Sequence, residues 1–99
     1  MHKVIVLYKH PVDETVFEKY YSEIHLPLAA KIPDVDHAEF TKFSPGPDGS
    51  APEFYRMAEL YFVTEDLMKQ SFETPGGKAA AADIPKFATG GFLFLVGTI

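Results

Sequence analysis

The 99 residues make one domain spanning 1–99, and a 46% hydrophobic content with nine Phe and five Tyr excludes a disordered chain. A net charge of −5 with a single arginine, Arg56, speaks against nucleic acid and anionic membranes as partners. There is no cysteine for a disulfide, a thiolate metal site or a Cys nucleophile, no apolar run of the ~18 residues a membrane span needs, and an opening apolar run too short for a signal peptide. A cytoplasmic location is the expectation.

Lys3 to Lys9 is predicted as a first strand, apolar at both parities through Val4, Ile5, Val6, Leu7 and Tyr8, and so covered on both faces. His10-Pro11-Val12-Asp13 turns the chain, and Asp13 is placed to cap a helix running from Glu14 to about Ala30. Wound at about 100° per residue, this helix has Phe17, Ile24 and Leu28 at the centre of its apolar stripe, with Tyr21 close to that line. Tyr20 flanks one side and is read as packing; His25 flanks the other, one turn beyond Tyr21. Pro27 removes a backbone donor and crowds the Glu23 carbonyl, so the helix is expected to kink or end near His25.

Val35 to Phe43 alternates and carries enough charge for an edge strand, and 44–52 is a loop rich in Pro, Gly and Ser. Phe54 to Val63 is a third strand, with Ala58, Leu60 and Phe62 sharing its uncharged parity. Thr64 caps a helix carrying Leu67, Met68 and Phe72. Thr74-Pro75 opens a further helical segment, whose first turn Gly76 and Gly77 loosen and which Pro85 ends, with Asp83 as its cap or stop. Gly90-Gly91 releases a last strand, Phe92 to Val96, apolar at both parities.

The order β-α-β-β-α-β is the α+β, ferredoxin-like arrangement: a four-stranded antiparallel sheet with its helices on one face. With the first and last strands apolar on both sides and taken as central, the other face needs a cover that the chain cannot supply. A second copy of the chain, a homodimer packed sheet to sheet, is expected there.

His25 is the leading site candidate, a titratable ring on the rim of an apolar stripe, beside a phenol and a break in the helix. An imidazole with a pKa near ~6.5 can act as general acid or base at neutral pH. Tyr21 would hold or protonate a substrate oxygen. In this topology His25 should lie near Val4 and Phe62, in a cleft roofed by Phe17, Tyr21 and Ile24 and floored by Leu60 and Phe62. His2 is terminal, His10 lies in a turn, and His37 with Glu39 on a strand is no metal motif, so no metal site is expected.

Four stretches belong together: Val6-Leu7-Tyr8 followed by a Pro and Asp turn; Phe17-x-x-Tyr20-Tyr21-x-x-x-His25-x-Pro27-Leu28; Ala82-Asp83-Ile84-Pro85-x-Phe87; and the closing Gly90-Gly91 strand. Their combination resembles the EthD family of small dimeric α/β-barrel proteins, named after a protein of ethyl tert-butyl ether degradation. The resemblance covers nearly the whole chain and implies the barrel dimer, together with oxidative degradation or tailoring of small organic molecules. It leaves open a site role for Asp83. The wider superfamily includes cofactor-free oxygenases, lactone isomerases, polyketide cyclases and haem-degrading enzymes; the last lean on a tryptophan, which this chain lacks. The expectation is a cofactor-free enzyme acting on a small, apolar, oxygenated molecule with His25 as general acid or base. The alternative is a non-catalytic carrier that hands a hydrophobic metabolite to a partner oxidoreductase.

Overall fold

Three side-chain caps set the helix starts in the computed structural model, which describes residues 1–99. Asp13 accepts from the Val16 amide, Thr64 from Leu67 and Thr74 from Gly77. The elements follow as β1 (His2–Tyr8), α1 (Glu14–Tyr20), a π-helical turn (Tyr21–His25), α2 (Leu26–Ala29), β2 (His37–Lys42), β3 (Arg56–Phe62), α3 (Glu65–Glu73), α4 (Pro75–Phe87) and β4 (Phe92–Thr98). The sheet is antiparallel throughout, in the order β2-β3-β1-β4. No helix is long and apolar enough to cross a membrane.

Register divides the sheet into two faces. Val4, Val6 and Tyr8 of β1 pair with Leu60, Ala58 and Arg56 of β3, and this parity turns inward beneath the helices. Phe17 and Tyr21 come down on it from the first helical stretch, Met68 from α3, and Ala80, Ile84 and Phe87 from α4, to complete the core. The opposite parity has no helix over it. Its β4 and β1 side is apolar, with Leu93 and Leu95 paired to Leu7 and Ile5. Its β3 and β2 side is polar: Lys3 and the Tyr61 hydroxyl both bond Glu59, and His37 stacks on Tyr61 with ring centroids 4.1 Å apart.

Four sequence expectations are corrected. β4 is an edge strand, not a central one, because β1 is flanked by β3 and β4 and only β1 and β3 are enclosed. Pro27 does not end the helix at His25; the chain opens into a π turn immediately before it, with the Leu26 amide reaching back to the Tyr21 carbonyl. Widening the turn gives room where the proline ring would otherwise crowd the preceding carbonyls, and the helix resumes as α2. Pro85 likewise sits inside α4, exposed, and the helix continues to Phe87. Gly76 and Gly77 mark a close approach rather than a loose turn, since a Cβ on Gly77 would come within 2.0 Å of the Ser71 carbonyl oxygen.

Candidate active site

The π turn decides which side chains of the first helical stretch face inward. Placing five residues in a turn rotates everything after Tyr21 backward relative to a regular α-helix. His25 is thereby carried under Tyr21, the rings stacked at 5.7 Å and 20°. Ile24 swings out to 45% exposure, and Leu26 and Ala29, not Leu28, continue the packed face. The inward rotation leaves His25 only 6% exposed, a core position rather than a rim.

A buried imidazole needs a partner, and α4 supplies it. Ala80, Asp83, Ile84 and Phe87 form the inward stripe of α4 at helical spacing, with one carboxylate among apolar side chains. Asp83 is 3% exposed, and its Oδ2 lies 3.0 Å from His25 Nδ1. A carboxylate oxygen accepts, so Nδ1 carries the hydrogen and Nε2 is left as the free lone pair. The other carboxylate oxygen accepts from the Tyr20 hydroxyl at 2.6 Å. Phe87 closes the group, its centroid 4.5 Å from the imidazole and 5.5 Å from the Tyr20 ring. Burial holds the His25 pKa below the usual imidazole value, partly offset by the hydrogen bond and the charge of Asp83, so the ring is neutral at neutral pH.

His25 opens onto a cavity between the sheet and the helices. The space open to the centre of a water-sized guest is about 30 Å³, within about 380 Å³ of empty space that includes open solvent. Of fourteen lining residues, His25 alone is not hydrophobic. Val4, Val6 and Tyr8 floor it from β1, Ala58 and Leu60 from β3, and Phe40, Phe72 and Phe94 stand in its wall, Phe40 and Phe94 still partly in solvent.

Against the sequence expectations, His25 and Leu60 line the cavity together with Val4. Phe62 is fully buried outside it, beside Phe72. Phe17 packs between Tyr8, Tyr21 and Phe87 and reaches a different cleft, on the outer surface between the first helix and α4. Ile24 faces solvent. Tyr21 supports the imidazole by stacking, but its hydroxyl is buried without a partner and does not line the cavity. The phenol that does line it is Tyr8, whose hydroxyl is also buried and unpartnered. Burial pushes both phenol pKa values up, Tyr21 to about 12 and Tyr8 further, so both remain protonated donors.

Asp83 and Tyr20 were the members the sequence did not assign. The signal for Asp83 was present in the Ala80, Asp83, Ile84, Phe87 spacing, but reading Pro85 as the helix end cut the stripe short. Tyr20 had no such signal, because its partner lies 63 residues away. A separate ion pair locks the neighbouring ground: Arg56 bonds Glu18 through Nε at 2.9 Å and Nη2, and lies 5.0 Å from the Tyr21 ring.

Residues 9–91 match the model of the EthD domain. The chain belongs to the EthD family. Over 99 residues, 96% of this chain and 91% of the relative, it is 38% identical to an uncharacterised 11.0 kDa protein encoded in the thcB–thcC intergenic region of Rhodococcus erythropolis. An EthD family protein of Bacillus halodurans shares the structure at a TM-score of 0.93, with 33% identity over 100% of this chain and 98% of the other. The fold is also that of SnoaB from Streptomyces nogalater, a cofactor-independent oxygenase, at a TM-score of 0.66 and 13% identity, covering 99% of this chain and 90% of that one.

Proposed function

We propose that this EthD protein is a cofactor-free enzyme that removes a proton from a small, largely apolar, oxygenated molecule, with His25 as the base. One observation carries the reading: an Asp83–His25 pair is buried at the wall of a cavity that is otherwise hydrophobic. Placing a charge-bearing pair among apolar side chains costs desolvation that a simple container has no need to meet. The pair also has the form acid-base chemistry requires, with the carboxylate fixing the ring and Nε2 free as a lone pair. Neutral at neutral pH, His25 is ready to accept a proton. Tyr8 is the phenol nearest the substrate space and would donate to the oxygen on which charge develops; Tyr21 would brace the ring. Loss of a proton from a phenol or an activated carbon prepares a substrate for reaction with oxygen, isomerisation or ring closure. SnoaB's fold gives the first of these a precedent within the same architecture.

The cavity is small, so a substrate would lie partly in its opening beside Phe40 and Phe94, the lining phenylalanines that remain partly in solvent. A second copy of the chain, laid against the helix-free face, is the partner we propose for the exposed apolar side of that sheet.

Because His25 is buried, His25→Gln is a better probe than alanine: it fills more of the space of the imidazole but cannot titrate. Molecules that co-purify, identified by mass spectrometry, supply the substrate series. H25Q should retain their binding and lose turnover by about 10²–10⁴-fold, the usual contribution of a general base. Full turnover in H25Q would overturn the assignment. Binding with no turnover in the wild type would favour the carrier reading instead.

A further inference from the structure

Tyr20 reads from sequence as packing, and it does stack on Phe87. Its hydroxyl, however, makes a 2.6 Å hydrogen bond to a carboxylate whose other oxygen holds the candidate base. We propose that Tyr20 is the positioning residue of this site, its hydroxyl anchoring one oxygen of Asp83 so that the other stays on His25 Nδ1 and Nε2 stays free toward the cavity.

A carboxylate can swing about its bond to the chain, and a single hydrogen bond to an imidazole leaves that swing open. With both oxygens engaged, by groups from the first helix on one side and from the π turn on the other, the plane of Asp83 is set. That plane fixes the imidazole tautomer, because only an Nδ1–H can donate to Oδ2. Few other titratable groups face the ring. Tyr21 stacks on it from its own turn, Tyr8 approaches from β1, and Arg56 of β3 lies over Tyr21 while paired with Glu18. Tyr20 also lines the outer cleft between the first helix and α4, so this hydrogen-bonded chain runs from the molecular surface to the cavity.

Removing the hydroxyl should therefore let the carboxylate turn away and weaken its grip on a protonated ring, and removing the carboxylate should abolish it.

The test is the nitrogen NMR titration of His25 in the wild type, Tyr20→Phe and Asp83→Asn. Wild-type His25 should be the Nδ1–H tautomer. Y20F keeps the ring that stacks on Phe87, so its melting temperature should change little. Its His25 titration midpoint should move to lower pH than the wild type, and that of D83N to lower pH still. A Y20F midpoint that is unchanged or raised overturns the proposal, since a merely packing Tyr20 would move stability alone. Should Y20F not fold, the wild type gives the decision: the Tyr20 phenol, hydrogen-bonded to Asp83, should titrate above a free tyrosine, and a Tyr20 that titrates at or below the free value overturns the proposal.

The inference rests on His25 being the base of the site, but the two can fail separately. Turnover that survives in H25Q removes the base and leaves these titration shifts standing. An unmoved titration in Y20F removes Tyr20 and leaves the H25Q result standing.

Discussion

His25 is the residue on which most of the chemistry turns, and its burial has a consequence for stability. Its pKa is depressed in the folded protein from the ordinary value of 6.5, chiefly by desolvation. The unfolded chain therefore binds a proton more readily than the folded one as pH falls below that value. Stability rises with pH wherever the unfolded state holds more protons. The contribution of a neutral His25 is thus fully present above about pH 6.5 and is lost as pH falls toward and through the folded value. Thermal melts between pH 7.5 and 5 should show a declining midpoint, and H25Q should flatten that decline. An identical slope in the variant would show that the depression is not there. Asp83 illustrates why this site was only half legible. A carboxylate between Ala82 and Ile84 reads as a helix stop, and only its packing against the π turn shows what it meets.

At the scale of elements, the starts were legible and the interruptions were not. Caps are local chemistry: Asp13, Thr64 and Thr74 each satisfy the amide three residues on, so their spacing suffices. What a helix does at an internal proline depends on what packs around it. Pro27 could have ended the first helix, but the chain instead widens by one residue, a register that seats Tyr21, His25 and Leu26 against the core. The same dependence on neighbours explains the glycines. Gly77 stands where α4 begins against the end of α3, with no room for a methyl group beside the Ser71 carbonyl. Gly77→Ala should lower stability by about 1–3 kcal/mol, the usual cost of overpacking, against the gain in helix propensity that an exposed site would show. Urea denaturation measures it directly, and a stabilised variant would mean that this junction gives way easily.

For the whole molecule, the sheet order makes β4 an edge with Leu93, Phe94, Leu95 and Val96 all partly in solvent. An apolar edge strand continuous with an apolar half-face is an association surface unless something covers it. Leu95 lies opposite Ile5 on the helix-free side, the face of the sheet away from His25. Leu95→Glu should convert a dimer into a species of 11.0 kDa by light scattering at micromolar concentration while leaving the fold, read by circular dichroism, as it was. A wild-type protein that is already monomeric would remove the dimer from the proposal.

The chain by itself determined the succession of elements, the antiparallel sheet with its helices on one face, and the identity of His25 as the residue to watch. Those features follow from periodicity, capping and composition, which act over a few residues. Tertiary structure alone decided the π turn, the inward rotation of His25, its pairing with Asp83 58 residues away and the anchoring of that pair by Tyr20. Helix phase beyond an internal proline is chosen by whichever side chains the facing surface can bury. A buried charge finds its partner only where two distant elements meet.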